Sequence, residues 1–384
     1  MLFVVVGVNA GLVNSNSVIQ KSQLLQQVIW FQAQWYPWFV IRRFLSVMML
    51  AWVPAIGQAS GEPPLFASHD VIEVTINAPL KALVNDNDAE PGYRPATLQY
   101  DDADGNTHTL DIGIRPRGKN RRKKEVCEFP PLRLNFRSSQ TAGTVFAGQD
   151  KLKLVAHCRR GSSFRQYVLQ EYLVYRVLNQ LTEQSFKVRL LSVTYNSTDS
   201  RKKPLNSHAF VIEDRDHMAA RGGFEYRAPQ SIRRHELDDE AGTLVGVFQY
   251  LIGNTDWSML DGPGDDRCCH NMVLISRNDG AYVPVPYDFD YSGIINTPYA
   301  IPSQAVKIRS VRTRVYRGFC KPPELLAATL QRFRDKKQEI YDLYSGQPGL
   351  ASATVTKTTK YLDEFYKTID DERRRERRIV GRCR

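Results

Sequence analysis

The first 59 residues contain neither Asp nor Glu, although the chain of 384 residues carries 41 of them in total. Other absences narrow the function. There is no Walker-type Gly-rich loop, which excludes the P-loop way of cradling phosphates. No Ser/His/Asp elbow and no Cys/His nucleophile pattern stands out, which removes the usual routes to covalent acyl transfer. Cys268-Cys269-His270 resembles a metal cluster, but no second Cys/His pair lies at zinc spacing from it. Neighbouring residues in an extended segment also point opposite ways, so a structural zinc site is not expected there. No internal repeat and no low-complexity linker divides the chain.

The acid-free start has the layout of an export signal. Arg42-Arg43 precede an apolar run from Phe44 to Ile56, and Gly57-Gln58-Ala59 offers a small-x-small cleavage point. The run is short for a transmembrane helix. No Cys follows the cleavage point, so a lipoprotein anchor is not indicated. Residues 1–39 are long for a signal n-region, which points to a true start near Val40 or Met48. An N-terminal membrane anchor over residues 27–56 is the alternative. The expectation is a secreted, periplasmic or cell-surface protein with no stable membrane span once residues 1–59 are removed.

Charge is unevenly spread. Of the net +11, Lys21, Arg42 and Arg43 lie in the leader, and residues 373–384 hold seven Arg against one Glu. The body between them is close to neutral, so the basic balance does not describe a nucleic-acid-binding face. The basic tail 373–384 reads as a solvated, frayed helix end. Six Cys in a chain with an export signal imply disulfides. Cys127 with Cys158 is the preferred pair, and Cys268 or Cys269 with Cys320 the second.

From Asp70 the pattern is strand-rich. Strands are expected over Val71–Ile76, Ala96–Tyr100, His108–Ile114, Pro131–Phe136, Lys151–Ala156, Lys187–Tyr195 and Ala209–Glu213. Asp102–Asn106 reads as a hairpin turn rather than a calcium loop, since the acidic twelfth position is missing. Phe164, Val168, Tyr172, Tyr175 and Leu178 mark a helix from Ser163 to Leu181, with Glu171 beside its apolar stripe. A helix-like run, Gly242–Ile252, and a strand pair, Asn271–Ser276 and Ala281–Pro286, follow, with helices from Pro322 onward. Strands with one helix, then a helical half, imply an α+β, two-lobed plan. Residues 60–372 form its domain, with lobes at about 70–212 and 213–372.

Two acidic clusters carry the chemistry. Asn254-Thr255-Asp256-Trp257 with His270-Asn271 is the first, and Pro286-Tyr287-Asp288-Phe289-Asp290 the second. Each interrupts or follows an apolar run, unlike a solvated acidic patch. A carboxylate, an amide and a second carboxylate are hard oxygen donors suited to a divalent cation held against phosphates. Taken singly, Asn254–Asp256 also fits an Asx turn, and Asp288 with Asp290 a calcium or hydrogen-bonding pair on one strand face.

In combination these residues resemble the CotH (spore-coat protein H) family of secreted atypical kinases. Ile112-Gly113-Ile114-Arg115-Pro116-Arg117-Gly118 is similar to its strand-to-loop segment, and Pro131–Phe136, with Arg133, to the strand after it. The two acidic clusters, with Gly293 beyond, are similar to its catalytic loop and its Pro-Trp-Asp-aromatic-Asp motif. The likeness spans roughly residues 70–295. It departs at Lys119-Asn120-Arg121, where Asn-Ser-Ser is common, and at Tyr287, where the family has Trp.

The resemblance implies an atypical protein-kinase-like fold with a strand-rich N-lobe and a mostly helical C-lobe. It implies ATP with Mg²⁺ or Mn²⁺, and transfer of the γ-phosphoryl to a protein hydroxyl, Ser or Thr. Asp256 would be the catalytic carboxylate. Asn271 and Asp288 would hold metal, with Asp290 a second ligand or its support. Arg117 and Gly118 would cover the phosphates. Lys153, or else Arg133, would contact phosphate, with Glu171 as its ion-pair partner. Glu213-Asp214 would be the adenine-binding hinge. The partner implied is a protein acceptor, not a specific nucleic acid. The rival readings are a non-catalytic surface or adhesion module and a nucleotide-dependent adenylyl or glutamyl transferase.

Overall fold

Alternation of buried and exposed side chains runs through the first half of the chain and builds a barrel. The computed structural model describes residues 63–262, 268–278 and 280–384. The proposed export signal and anchor segments lie outside the described residues. Seven strands, β1 (Ile72–Ala78), β2 (Arg94–Asp101), β3 (Thr107–Pro116), β4 (Leu132–Phe136), β5 (Lys151–Val155), β6 (Val188–Ser197) and β7 (Leu205–Ile212), close in the order β1-β2-β3-β4-β5-β7-β6. Every pairing is antiparallel except β1 with β6, which run parallel from Ile72 beside Leu191 to Ala78 beside Ser197. Leu110, Ile112 and Ile114 on β3, Leu132 and Leu134 on β4, and Leu152 and Leu154 on β5 fill the interior. That period of two is what a half-buried strand requires.

Short helices α1 (Leu80–Asn85) and α2 (Ser138–Thr141) connect strands, and α3 (Ser162–Leu181) follows β5. The second half holds α4 (Arg215–Arg221), β8 (Glu225–Arg227), α5 (Asp239–Ile252), β9 (Met272–Ser276), β10 (Val283–Pro286), α6 (Pro323–Asp335), α7 (Lys337–Ser345), α8 (Ser352–Asp370) and α9 (Glu372–Arg378). Strands β10-β9-β8 form a small sheet. The start and stop of α5 are written locally. The Asp238 carboxylate accepts from the Ala241 N–H at 2.8 Å, Asp239 and Glu240 occupy its first turn, and Gly253 ends it in the left-handed region at φ 65°.

The two-lobed, kinase-like plan expected from the sequence is overturned by this architecture. The strands form a closed, mixed barrel rather than an open lobe, and the expected helical half carries its own sheet. Gly61–Arg384 is also a single compact unit by its contacts. Helix α3 explains the continuity, because it is apolar on two sides. The Tyr175 ring meets Phe210 of β7 at 5.6 Å and Phe289 of the second acidic cluster at 4.6 Å. One hydrophobic core therefore runs from the outer face of β7 through α3 into α5 and α8.

The strands and two main helices expected from periodicity are all present, within a few residues at their ends. Cys127–Cys158 is bridged as expected, but the second expected pair is not. Cys320 is bonded to Cys383, and Cys268 to its neighbour Cys269. The reason lies in the last residues, which run alongside residues 318–320. The Cys320 N–H donates to the Arg384 carbonyl, and the Arg384 N–H to the Gly318 carbonyl, each at 3.0 Å. Nor is the basic tail frayed. Helix α9 is capped by Asp371 and leads to a fully buried Ile379. Among the described residues no helix is long and apolar enough to cross a membrane.

Candidate functional site

The turn after α5 presents Asp256. The Asn254 side chain accepts from the Asp256 N–H at 2.9 Å, so the Asx turn read as an alternative is real. It is also what aims the Asp256 carboxylate. The Arg317 guanidinium braces the turn from behind through the Thr255 and Trp257 carbonyls. Across from it, Ser258 and His270 exchange backbone hydrogen bonds at 3.0 and 3.1 Å. That bridge brings His270-Asn271 against Asp256. His270 Nε2 lies 2.9 Å from one carboxylate oxygen of Asp256, and the Asn271 amide donates to the other at 3.1 Å and to the Asp256 carbonyl at 2.8 Å. The bond to Asp256 holds the His270 pKa above its ordinary value, against the pull of burial. About a third of each of the Asp256 and His270 side chains remains open to solvent.

The second cluster joins the first through the backbone. The Tyr287 N–H donates to the Asn271 carbonyl at 3.1 Å, and the Asp288 N–H to the Tyr175 hydroxyl of α3 at 3.0 Å. Asn271 and Asp288 both adopt left-handed backbone, at φ 51° and 65°. Such strain in non-glycine residues gathers at functional sites. Asp290 is buried and hydrogen-bonded to the Tyr299 side chain. Burial, then the Asp288 charge, pushes the Asp290 carboxyl up to about 7. Burial, then Asp290, pushes Glu171 up to about 8. Asp288 raises the pKa of both Asp290 and Glu171, and Asp290 that of Glu171, which marks a crowding of negative charge.

Arg121 supplies the ion pairs to Asp290 and Glu171. Its guanidinium lies 3.5 Å from Asp290 and 3.7 Å from Glu171, and it donates to the Ala156 carbonyl at 2.9 Å. Burial opposes its charge, but Tyr299, Asp290 and Glu171 outweigh that and hold its pKa above the ordinary value. The partner expected for Glu171 was Lys153, and the structure replaces it with Arg121. Lys153 instead sits over the Tyr287 ring at 4.7 Å and beside Arg133, its cross-strand neighbour. Burial, followed by the nearby Arg117 charge, lowers the Lys153 ammonium to about 8, while Asp288 holds it up. Burial lowers the Arg117 guanidinium below its ordinary value, an effect that the facing Asp288 charge offsets only in part. Gly118 beside it turns the chain at φ 85°, which a larger residue rarely adopts.

A cleft of about 420 Å³ opens next to Lys153, lined by Arg133, Asp150, Asp214, Arg215 and His217 among others. Glu213 lines it too, but its side chain is already engaged. It accepts from the Lys187 N–H at 2.9 Å and from the Arg221 guanidinium at 3.2 Å. Glu213 is thus a buried acid whose carboxylate is held by Lys187 and Arg221, while Glu213 and Asp214, the expected hinge position, both line the cleft.

Asp256, Asn271, Asp288, Asp290, Glu171, Arg117 and Lys153 are brought into one neighbourhood, as the sequence led us to expect. Sequence reasoning assigned no site role to Arg121, Tyr175, Tyr299 and Arg317, and grouped His270 with Asp256 without foreseeing their hydrogen bond. Arg121 carried a signal as part of the basic stretch 115–124, and Tyr175 only as a member of an apolar helix stripe. Among the described residues no three His, Cys, Asp or Glu side chains converge as a ready-made metal cluster. The donors near the acids are oxygens, the type that Mg²⁺ and Mn²⁺ take, and Mg²⁺ commonly uses one or two carboxylates and completes its shell with phosphate and water. The residues fit a cation that arrives with phosphates better than a resident one. No model of a known protein family matches this chain, and no curated protein matches its sequence.

Proposed function

We propose that the chain is an exported, ATP-dependent phosphotransferase, related to the CotH family, that modifies a protein hydroxyl. The observation that carries this reading is the meeting of Asp256, Asn271 and Asp288 from separate segments beside Lys153 and Arg117. Its resemblance rests on those residues and not on a shared architecture. The three disulfides suit an oxidising compartment and support export.

In this reading Asp256 takes the proton of the attacking hydroxyl, with His270 and Asn271 fixing the orientation of its carboxylate. The hydroxyl oxygen bonds to the γ-phosphorus as the bond to the β-phosphate oxygen breaks, and ADP leaves. Lys153 and Arg117 bear the charge that builds on the phosphate oxygens. Asn271, Asp288 and Asp290 would hold Mg²⁺ or Mn²⁺, which neutralises phosphate charge. Arg121 occupies the acid pair meanwhile, and its guanidinium must yield part of its contact with Asp290. Positioning and charge neutralisation do most of the work of phosphoryl transfer, so this set is sufficient.

A second reading, a binding module without catalysis, is favoured by one observation. Glu171 and Asp290 already have a cationic partner in Arg121. The experiment that separates them incubates the protein with Mn²⁺ and ATP labelled at the γ or the α phosphate, beside Asp288→Ala. Transfer of γ label alone, lost in the variant, is the expected result. Transfer of α label means adenylyl transfer instead. Absence of both label transfer and nucleotide binding defeats the proposal in favour of the binding module.

A further inference from the structure

Away from the candidate site, one mouth of the barrel holds a second built cavity. The ends of β1, β3, β5 and β6 and the starts of β4 and β7 meet there, with α1 along one side. The space is about 750 Å³, a size typical of small-molecule sites, which often occupy barrel mouths. None of the residues assigned to phosphoryl transfer lines it.

Its rim is strongly basic. Lys81, Lys124, Arg160, Lys202 and Lys203 line the cavity, against one acid, Glu128. Lys124 donates to the Asn85 side chain at 2.8 Å. Among the described residues, the other four side chains make no ion pair. They come from three different loops or helices, so local sequence does not explain their convergence.

The cavity also has an apolar wall, of Leu80, Val84, Phe129 and Leu205. His157 lines it and is 2 % exposed, yet neither ring nitrogen has a hydrogen-bond partner among the described residues. The imidazole stacks on Phe129, with ring centres 4.7 Å apart and planes at 17°. Tyr195, its ring centre 5.8 Å away, is also buried, and its hydroxyl has no partner among the described residues. Buried polar groups in native proteins nearly always have partners. Burial, aided by the Arg160 and Arg121 charges, lowers the His157 pKa to about 4. The ring is therefore neutral at pH 7, with one nitrogen to donate and one to accept.

We propose that this mouth binds a small amphiphilic anion. Its charged group would lie among Arg160, Lys202 and Lys203, its apolar body against Phe129 and Val84, and a polar atom would meet His157. A sulfonate, a phosphate ester or a carboxylate on a planar body meets these demands. A bare inorganic anion leaves the wall uncovered and His157 unpartnered.

The test is a fluorescence titration of the full chain with 1-anilinonaphthalene-8-sulfonate, beside its uncharged analogue lacking the sulfonate. Saturable one-to-one binding is expected, at least about tenfold tighter than the analogue. Lys202→Glu with Lys203→Glu should weaken it about tenfold or more, and so should Arg160→Glu from a different loop. The matched reversal Lys357→Glu with Lys360→Glu, on the exposed face of α8, should change it by less than about twofold. His157→Leu should weaken binding without lowering the melting temperature, an outcome that a purely structural histidine does not give. The proposal is overturned by unsaturable binding, by equal affinity for the analogue, or by equal loss in the α8 control. Full displacement by millimolar inorganic phosphate would also overturn it, because that defines a plain anion site.

Discussion

Replacing Gly253 by Ala tests how the first acidic cluster is held. Gly253 lies in the left-handed region at φ 65°, and the Gly293 N–H donates to its carbonyl at 3.1 Å. A Cβ at Gly253 would overlap the Tyr361 hydroxyl and come 3.1 Å from the ring carbon that bears it. Tyr361 has no room to retreat. Its hydroxyl donates to the Arg312 carbonyl at 3.2 Å, and the Arg312 and Arg314 guanidinium groups lie over its ring at 4.8 and 3.6 Å. Left-handed backbone costs a non-glycine residue about 1–2 kcal/mol, and overpacking a filled site roughly 1–3 kcal/mol. Gly253→Ala should therefore destabilise by about 2–5 kcal/mol. Tyr361→Phe alone loses one hydrogen bond, about 1 kcal/mol. In the double variant the overlap is largely relieved, because the nearest atom is then a ring carbon at a tight but adjustable distance. Only the backbone strain and the lost hydrogen bond remain. Urea denaturation of the four proteins should give a favourable coupling of about 1–2 kcal/mol between the substitutions. A cycle additive to within about 0.3 kcal/mol would refute the claim that Tyr361 wedges the turn.

Three further outcomes are expected. Asp288→Ala and Lys153→Met should each abolish or strongly weaken Mn²⁺–ATP binding, measured by calorimetry, while the circular dichroism spectrum is retained. His157 has a folded pKa of about 4 against an ordinary 6.5, so on acidification the unfolded chain takes up its proton first. The neutral buried ring carries no penalty above pH 6.5, and as pH falls toward 4 it destabilises the fold progressively, by at most about 3 kcal/mol. His157→Leu should flatten that limb of the stability profile, and an unchanged slope would count against a buried neutral imidazole. Removing Cys127–Cys158 by a double Ser substitution should cost about 2–4 kcal/mol of stability. It should also weaken nucleotide binding, because that bridge ties the loop carrying Arg121 to the strand end whose Ala156 carbonyl it contacts. Lost stability with intact nucleotide affinity would deny the link.

Local structure was legible because its determinants are local. The alternation Leu110, Ile112, Ile114 declares β3 without reference to any partner. Asp238 and Gly253 bracket α5 by capping chemistry alone. What sequence could not reveal was which strand meets which. Nothing in Val71–Ile76 announces a parallel partner at Val188–Ser197, and that one pairing turns an expected open lobe into a closed barrel. The candidate site divides in the same way. Asp256, Asn271 and Asp288 stood out through residue type and order. Arg121 looked like any solvated arginine in a basic loop, and only the fold carries it to Asp290 and Glu171. The contact of the Glu213 carboxylate with Arg221 was equally hidden, because it spans separate elements of the fold. The disulfides follow the same rule. Cys127 and Cys158 flank the directly paired neighbours β4 and β5, whereas Cys383 reaches Cys320 only because the last residues fold back.

The parallel closure of β1 on β6 also orders events in time. A strand made early has no second neighbour until Val188–Ser197 exists and is free to pair, so Ile72 must wait for Leu191. Until then the hairpin of β2 and β3, with β4, can form from local contacts, and the Cys127–Cys158 bond can lock their flanking loops. The open side of β1 is the exposed edge of that intermediate, and an unpaired edge invites association with other chains. For a chain that emerges or is threaded from its N-terminal end, the hazard lasts as long as the delay before β6 arrives. Long-range pairing of this kind is slow for the same entropic reason. Backbone amides on the β6-facing side of β1 therefore gain protection from exchange last, after those of β3 and β4.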